Sequence, residues 1–422
     1  MKSLSLATPF GRGTSGIAIT ACIVAATFVL VSIAAHASEA PPGPPIPRRA
    51  LQMEHANSLP ITHFYDTPQD LLEGKPGDLL RHESFAGYTL PAGASAVRIL
   101  YHSVDAGGRD VASSAAILIP AGKKPAQGWP IIVWAHGTSG VARQCAPSAM
   151  KDIYYGDEGL YDMLKAGFAV VATDYHGLGT EGPHQYIDKI AQANDVVYAV
   201  PAAQEAVPSL GRQWVVDGHS QGGLAAWGVA EAEARLKDSS YLGAVSVAGA
   251  THLAWQVNHL NEDNGAGFYL VWWAYGIHAR FPEFKPDEML TTIGAAHYRE
   301  VTTQGCWLYG YASYLHVDAP KMVKADWAKS LWVRKFFDEN RVGDAPIAGP
   351  IFVIAGESDT AVPFAATRDL IDRACKNRQN VQFRSYPGLD HDPTMVNSTP
   401  DQIAWIKDRF GGIPATGNCP PS

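Results

Sequence analysis

The sequence is poor in cysteine and in charge, and it lacks the motifs of several common protein classes. Only five of the 422 residues are cysteine, and charged residues make up 18% of the chain. Five cysteines are too few for a disulfide-rich scaffold, and there is no Cys-x-x-Cys pair or His-Glu-x-x-His motif to indicate a metal. No Gly-x-Gly-x-x-Gly loop follows a strand candidate. The sequence therefore predicts neither a metal site nor a nucleotide cofactor.

An excess of positive charge is also missing. The 33 lysines and arginines are outnumbered by 41 aspartates and glutamates, which gives a net charge of −8. Nucleic-acid binding needs a basic face, so this balance argues against a nucleic-acid partner. Hydrophobic residues, by contrast, make up 46% of the chain and permit a large core.

The longest apolar run lies near the N-terminus. Lys2 and Arg12 precede this run, and Ala35-His36-Ala37 at its end has the small-x-small form of a cleavage site. We interpret residues 1–37 as a secretory signal peptide, the alternative being a retained membrane anchor. Cleavage would remove two basic and no acidic residues and leave a net charge of −10. We therefore expect a secreted or periplasmic protein.

The segment after the signal peptide, residues 38–49, is rich in proline and is predicted to be a stiff linker. Export brings a chain into oxidising conditions, where the four cysteines beyond the signal peptide can form two disulfides. These cysteines are Cys145, Cys306, Cys375 and Cys419. They allow three connectivities, and their spacing does not choose between them.

Short apolar runs alternate with helical patterns through most of the chain, after an arm (residues 51–93) that is predicted to be helical or irregular. The strand candidates are Val97–Ser103, Ser114–Ile119, Ile131–Ala135, Ala169–Thr173, Trp214–Asp217, Gly243–Ala248, Ile351–Ala355 and Val381–Tyr386. The helix candidates are Glu158–Ala166, Ile190–Val207, Gly222–Leu236, Ala365–Ala374 and Pro400–Phe410. Apolar strands that alternate with helices predict an α/β fold with a mostly parallel sheet covered on both faces.

One segment, residues 251–345, interrupts this alternation. It has no confident strand, yet it holds 17 of the 42 aromatic residues and six of the 11 tryptophans. We interpret it as an inserted helical cap, which divides the α/β core into residues 50–250 and 346–422. One interpretation of the aromatics is that they form only the cap's own core. The other is that they also line an apolar pocket and make transient contact with a lipid interface.

The residues Gly218-His219-Ser220-Gln221-Gly222 match the Gly-x-Ser-x-Gly nucleophile elbow. The motif alone is weak in a chain with 40 glycines. Its context strengthens it, because an apolar run leads into the motif and a helix-forming run leads out of it, as the strand–turn–helix geometry requires. The sequence therefore predicts Ser220 as a catalytic nucleophile.

The partners of such a serine follow in the order acid, then histidine. Asp359 comes directly after the strand candidate Ile351–Ala355, and Glu357 is its less favoured competitor because it lies closer to the strand. His391 is the only histidine after Asp359. We predict that His391 is the general base and that Asp359 orients its imidazole.

A loop of small residues, His136-Gly137-Thr138-Ser139-Gly140, follows the strand candidate Ile131–Ala135. Loops at this place supply one backbone donor of an oxyanion hole, and the residue after the nucleophile supplies the other. We predict the N–H groups of Thr138 and Gln221 as these donors, with Gly137 as the alternative to Thr138.

Three segments together resemble the secretory lipase family, exported α/β-hydrolases that include the fungal lipase A type. They are residues 136–140 with Cys145-Ala146-Pro147-Ser148, then Asp174-Tyr175-His176-Gly177-Leu178-Gly179, then Gly218-His219-Ser220-Gln221-Gly222-Gly223. The likeness covers roughly residues 60–410, and one departure is His176.

This resemblance implies ester hydrolysis, a helical cap before the acid, and a catalytic triad at Ser220, Asp359 and His391. It also implies oxyanion donors at Thr138 and Gln221, and the disulfides Cys145–Cys306 and Cys375–Cys419.

The leading hypothesis is a secreted serine carboxylesterase or lipase that works through an acyl-enzyme on a small-molecule or lipid ester. A second hypothesis is an esterase of the same fold that acts on acyl or feruloyl esters of cell-wall polymers. A third is a non-catalytic binding protein on a hydrolase scaffold, which predicts a missing triad member. A peptidase is a fourth, since triad chemistry does not distinguish amides from esters.

Overall fold

The computed structural model describes residues 46–69, 74–257, 259–260 and 266–419. The predicted signal peptide and residues 38–45 of the predicted linker lie outside the described residues. Within the described part, no helix is long and apolar enough to cross a membrane.

Nine strands form one sheet across the described chain. They are β1 Leu79–Phe85, β2 Ser95–Val104, β3 Asp110–Ile119, β4 Trp129–Ala135, β5 Ala169–Thr173, β6 Leu210–His219, β7 Tyr241–Val247, β8 Ile351–Gly356 and β9 Val381–Tyr386. Their order in the sheet is β1-β2-β3-β5-β4-β6-β7-β8-β9. β1 pairs antiparallel with β2, β2 with β3, and β3 with β5, whereas strands β4 to β9 are parallel to one another.

The helices of the described residues fall into those of the core and those between β7 and β8. The core helices are α1 Pro47–Asn57, α2 Leu160–Lys165, α3 Lys189–Ala206, α4 Gln221–Leu236, α12 Phe364–Lys376 and α13 His391–Phe410. Those between β7 and β8 are α5 Leu253–Val257, α6 Tyr269–Arg280, α7 Pro286–Met289, α8 Tyr298–Thr303, α9 Trp307–Tyr314, α10 Ala319–Met322 and α11 Leu331–Glu339.

The central strands are apolar because both of their faces are covered. In β4, Ile131 and Val133 belong to the core cluster that includes α3, α4 and α12. Their neighbours Ile132 and Trp134 belong to the opposite cluster, with residues of α2 and α13. Successive side chains of a strand point to opposite faces, so a strand between two helical layers must be apolar at every position. The predicted mostly parallel sheet with helices on both faces is thus confirmed.

Three segments differ from the sequence predictions. β1 was missed: the segment was predicted to be helical or irregular, but it is a half-exposed edge strand in which four successive polar residues, 81–84, interrupt any apolar run. Residues 47–49 of the predicted linker belong to α1. Helix α13 begins at His391 and not at Pro400, because the Asp390 side chain accepts a hydrogen bond from the His391 N–H and caps the helix there.

The insertion between β7 and β8 is helical and aromatic. The large side chains that it buries include Trp272, Trp273, Trp327 and Phe336, and these pack in one cluster with the sheet. Most of the insertion's aromatics therefore belong to a core that the insertion shares with the sheet, and a smaller number line the cavities described below.

Two disulfides fasten loops of the fold. Cys145, in the loop region after β4, is bonded to Cys306 at the start of α9. Cys375 of α12 is bonded to Cys419 near the C-terminus. These are the pairings that the family resemblance implies. The first joins the loop region of the predicted oxyanion donor to the insertion, and the second fixes the C-terminal segment on the core.

Removing these disulfides tests how much they stabilise the fold. Each pair of cysteines is replaced by alanine, and unfolding is followed in guanidinium chloride. We expect each double variant to lose about 2–5 kcal/mol of unfolding free energy. The partners are 161 residues apart in one bridge and 44 in the other. Loop-closure entropy therefore predicts a loss about 1 kcal/mol larger for the Cys145–Cys306 pair. An equal or reversed ranking would contradict the chain-entropy explanation.

Candidate active site

Ser220 lies in a sharp turn between strand β6 and helix α4. Its backbone has φ 56° and ψ −116°, a conformation that a residue with a side chain rarely adopts. Hydrogen bonds hold it there: the Ser220 N–H donates to the Val247 carbonyl, and the Ser220 carbonyl accepts from the Ala250 N–H, each at 2.9 Å. The turn presents the Ser220 side chain beyond the carboxyl end of the sheet, the edge where open α/β sheets gather functional groups.

Steric contacts explain why both positions of the elbow are glycine. A Cβ on Gly218 would overlap the Gly222 carbonyl group, and a Cβ on Gly222 would overlap the Ala135 carbonyl group of β4. Helix α4 therefore starts in backbone contact with β4. This close approach explains the Gly-x-Ser-x-Gly pattern, because a larger side chain at either glycine would displace the start of the helix.

Asp359 and His391 meet on the other side of this edge. Asp359 follows β8, and His391 is the first residue of α13. His391 Nδ1 lies 2.8 Å from Asp359 Oδ2. The other carboxylate oxygen of Asp359 accepts from the N–H groups of Ala361 and Val362 at 2.9 and 2.7 Å. Asp359 is thus fixed as an acceptor, so Nδ1 of His391 carries the proton that it donates to Asp359.

The electrostatics of His391 favour its charged form. Burial by itself lowers the pKa of His391, but the charge of Asp359 and the hydrogen bond to it outweigh burial and raise this pKa above the ordinary histidine value. Glu357, the competitor of Asp359, is exposed and accepts a hydrogen bond from the Ser385 hydroxyl at 2.7 Å. The structure therefore places Asp359, and not Glu357, against His391.

Ser220 and His391 line one cavity of about 140 Å³. Both residues are buried, each with an exposed fraction of 8%. The described structure contains no hydrogen bond between them, and His391 Nε2 has no hydrogen-bond partner among the described residues. Such contacts are often long in ligand-free sites and shorten when substrate is bound.

Thr138 lines the same cavity and is held from two directions. Its hydroxyl lies 2.8 Å from the Tyr186 hydroxyl, and its carbonyl accepts from the Tyr154 hydroxyl at 2.6 Å. Gln221 is the first residue of α4, so its backbone N–H is one of the groups that a helix start leaves without an intrahelical partner. The Gln221 side chain is turned away to the buried His184, at 3.1 Å.

Several residues of the cavity carried no prediction from the sequence. They are Tyr154, Tyr155, Glu158, His219, Tyr269, Trp307 and Asp392. His219 stands inside the elbow motif and Asp392 next to His391, so proximity in sequence was the available signal for these two. Tyr269 and Trp307 come from the insertion, whose many aromatics were the signal for a pocket. The other three come from the loop region before α2, and no local pattern marks them.

Two carboxylates and a second histidine also line the cavity. Although Asp392 and Glu158 are in part exposed to solvent, desolvation by the surrounding protein raises the pKa of each carboxyl, and the charge of Asp392 raises that of Glu158 further. Burial lowers the pKa of His219 well below the ordinary histidine value; the charge of His391 lowers it further, while a backbone contact with His391 acts in the opposite direction. A buried His219 is therefore neutral at neutral pH.

Apolar space extends from Ser220 beneath the insertion. A narrow cavity of about 30 Å³ is lined by Ser220, Leu253, Tyr269 and Trp273. Tyr269 and Trp273 also line a larger cavity of about 200 Å³, together with Leu260 and other residues of the insertion. Tyr269 and Trp273 of the insertion thus line both cavities, and the smaller of the two reaches Ser220.

Comparison with known proteins adds family information to this geometry. The family model described as secretory lipase matches residues 151–418. A secreted triacylglycerol lipase of Malassezia globosa is 33% identical over 92 residues, which cover 21% of this chain and 20% of that protein. Lipase A of Arthroderma benhamiae is 22% identical over 420 aligned positions, which cover 90% of this chain and 86% of that one.

Solved structures share the fold. Candida antarctica lipase A in its closed state superposes with a TM-score of 0.73 at 18% identity, over 86% of this chain and 90% of that one. The rice cell wall degrading esterase LipA of Xanthomonas oryzae, in a ligand-bound form, gives a TM-score of 0.65 at 15% identity, over 79% and 98% of the two chains. At these identities the likeness supports the α/β-hydrolase fold and no finer statement.

The steric role of Gly222 can be tested by Gly222→Ala. Because the new Cβ would overlap a backbone carbonyl, we expect a fall in the melting temperature and a loss of soluble protein. Gly411→Ala is the matched control: Gly411 has φ −78°, and the nearest atom to its added Cβ is 3.3 Å away. The control should melt within a few degrees of the wild type. Equal melting temperatures for the two variants would contradict the close approach of α4 and β4.

Proposed function

The chain belongs to the secretory lipase family, whose members are lipase and esterase hydrolases, and from this premise we propose that it is a secreted serine carboxylic-ester hydrolase. The observation that carries the proposal is the set of residues at one edge of the sheet. Ser220 on its strained turn and His391 line a common cavity, and Asp359 holds Nδ1 of that histidine. This is the arrangement that a nucleophile, a base and an orienting acid require.

The proposed reaction has two steps. His391 Nε2 accepts the proton of the Ser220 hydroxyl while Ser220 Oγ attacks the ester carbonyl carbon. The tetrahedral intermediate then expels the alcohol, which takes the proton from His391, and leaves the acyl group on Ser220. In the second step a water molecule gives its proton to His391 and attacks the acyl carbon; the acid is released, and Ser220 regains its proton.

Asp359 supports both steps without accepting a proton. Its hydrogen bond fixes the Nδ1–H tautomer, so the lone pair of Nε2 faces the cavity. Its charge stabilises the imidazolium that forms in each step, which agrees with the raised pKa of His391.

The developing oxyanion needs two donors, and the proposed ones are the N–H groups of Thr138 and Gln221. The contacts of Thr138 with Tyr154 and Tyr186 hold its loop before substrate arrives. Because the Gln221 side chain contacts His184, it is the backbone N–H of Gln221 that can donate to the substrate. Donors that are fixed in advance need no reorganisation as charge develops, and one donor contributes a factor of about 10²–10³ in turnover.

The apolar space below the insertion favours an ester with a hydrophobic acyl chain. The narrow cavity at Ser220 is lined by Leu253, Trp273 and Tyr269, whose side chains present mainly apolar surface. Glu158 and Asp392 line the other cavity at Ser220, to which Leu253 and Trp273 do not belong. We propose that the acyl chain binds in the cavity lined by Leu253 and Trp273, and that the alcohol binds in the cavity lined by the two carboxylates.

Export through residues 1–37 belongs to the same proposal. A relative is named a secreted lipase. Two disulfides are also expected of a protein that matures in an oxidising compartment. We propose that the folded domain, a core of residues 50–250 and 346–422 with the cap 251–345, works outside the cytoplasm.

Cell-wall esters are a second candidate class of substrate. Trp307 lines the cavity and stacks on Tyr311, with nearly parallel rings whose centroids are 5.4 Å apart. A flat aromatic pair of this kind suits a sugar or a phenolic ring. A structural relative is named a cell-wall-degrading esterase, although its low identity supports the fold alone.

Ser220→Ala tests the nucleophile. Without the hydroxyl no acyl-enzyme can form, so we expect turnover of p-nitrophenyl esters to fall by about 10⁴–10⁶. Ser313→Ala is the control, because Ser313 lies in α9 and its hydroxyl donates to the Tyr309 carbonyl. The control should keep the wild-type rate. An unchanged rate in Ser220→Ala would refute the assignment.

The acid is tested by pH dependence. Only the neutral form of His391 accepts a proton, so kcat/KM should fall as the pH drops through its raised pKa, with a midpoint above about 6.5. Asp359→Asn removes the charge that raises this pKa, so the midpoint should move to lower pH and turnover should fall by about 10²–10⁴. Glu357→Gln is the control and should leave the pH midpoint and the turnover unchanged. If Glu357→Gln lowers the turnover and shifts the midpoint while Asp359→Asn does neither, then Glu357 is the acid.

A substrate panel separates the two candidate classes. We expect kcat/KM on p-nitrophenyl esters to rise with acyl chain length from acetyl onward, because each added methylene that is buried contributes about 0.8 kcal/mol. Feruloyl esters and acetylated xylan should be poorer substrates. A preference for feruloyl or acetyl-xylan esters over long-chain esters would favour the cell-wall alternative.

A further inference from the structure

Two histidines of the cavity have their rings close together. His219 and His391 are buried, with exposed fractions of 1% and 8%, and their ring centroids are 4.6 Å apart. Neither Nε2 atom makes a hydrogen bond to a described residue, although the His391 backbone lies close enough to the His219 ring to affect its pKa. Hydrolysis uses Nε2 of His391, but the proposed mechanism gives His219 no part.

Both rings are held at their other nitrogen. His391 Nδ1 is bonded to Asp359 Oδ2, and His219 Nδ1 lies 2.8 Å from the Tyr155 hydroxyl. When each Nδ1 carries the proton, each Nε2 presents a lone pair. A hydrogen bond at one ring nitrogen with a free lone pair at the other is also how proteins prepare histidines as metal ligands.

A carboxylate completes the group. Asp392 lines the same cavity, and one of its oxygens lies within 4.8 Å of the ligand nitrogens of both histidines. Asp392 is exposed, so an ion can reach the group from solvent. Two ligands of a tetrahedral zinc ion, each at about 2.0–2.2 Å, stand about 3.3 Å apart, so shifts of about 1–1.5 Å would bring the three groups into contact distance.

We propose that His219, His391 and Asp392 bind a zinc-type divalent cation and that this ion inhibits the hydrolase. Two imidazoles and one carboxylate suit Zn²⁺, whereas Mg²⁺ and Ca²⁺ prefer ligand sets made of oxygen alone. The inhibition rests on the proposed function: the ion occupies the Nε2 lone pair that must accept the Ser220 proton. It also fills part of the cavity that the substrate needs. Because only coordination bonds hold the ion, a chelator removes it and restores activity.

Direct titration tests the site without reference to activity. Mature protein without a polyhistidine tag is freed of metal and titrated with Zn²⁺ in a calorimeter. We expect one zinc ion per chain at the tight site and no such binding of Mg²⁺. His219→Gln should weaken zinc binding at least about tenfold, and Asp392→Asn should also weaken it. His316→Gln, at an exposed position of the insertion, is the control and should bind as the wild type does.

Unchanged zinc affinity in His219→Gln, or the absence of stoichiometric binding to the wild type, would overturn the site. Thermal unfolding shows whether His219→Gln is folded; if it is not, Asp392→Asn carries the test, since this exposed residue is tolerant of replacement. Ester hydrolysis is then measured with and without zinc, followed by chelator. Binding without inhibition would overturn the inhibitory role.

The two proposals fail separately. Ser220 is not one of the three ligands, so Ser220→Ala should still bind one zinc ion. If Ser220→Ala retains hydrolysis while the zinc titration keeps its predicted pattern, the triad assignment is wrong and the metal site stands. If Ser220→Ala is inactive and no zinc binds, the metal site alone is wrong.

Discussion

The close approach of helix α4 to strand β4 is the constraint on which the site depends. Gly222 brings the start of the helix against the Ala135 carbonyl group, and this leaves Ser220 between strand and helix in an unfavourable backbone conformation. Such strain persists only where the surroundings determine the backbone. Here the bonds of Ser220 to Val247 and Ala250 do so. The position of the serine is therefore a property of the packed sheet and of no single loop.

The other site residues occupy equivalent places on the same edge. Asp359 follows β8, His391 begins the helix after β9, and Thr138 follows β4. In a parallel sheet the carboxyl ends of all strands meet at one edge, so residues that are far apart in sequence come together without long loops. The disulfide Cys145–Cys306 then joins the Thr138 side of this edge to the aromatic insertion. The α/β core thus positions the polar groups, and the insertion supplies the apolar surface beside them.

Much of the fold and of the candidate site followed from the sequence because the informative residues obey local rules. The six parallel strands and the antiparallel β2 and β3 contain apolar runs, so these eight could be predicted; β1, a half-exposed edge strand, has no such run and was missed. The bond between Asp359 and His391 could be predicted because both follow strands. The contacts of Thr138 with Tyr154 and Tyr186, and the meeting of His219 with Asp392, depend on tertiary packing that no local pattern records. Disulfide pairing was likewise beyond the reach of spacing.

The central claim is that Ser220 becomes the acyl carrier, and covalent labelling tests it most directly. Mature protein is incubated with a fluorophosphonate, which reacts with an activated serine, and the modified peptide is identified by mass spectrometry. The account predicts one adduct per chain, on Ser220, and a rate of labelling that falls steeply when His391 is replaced by alanine. No adduct, or an adduct on a different serine, would contradict it.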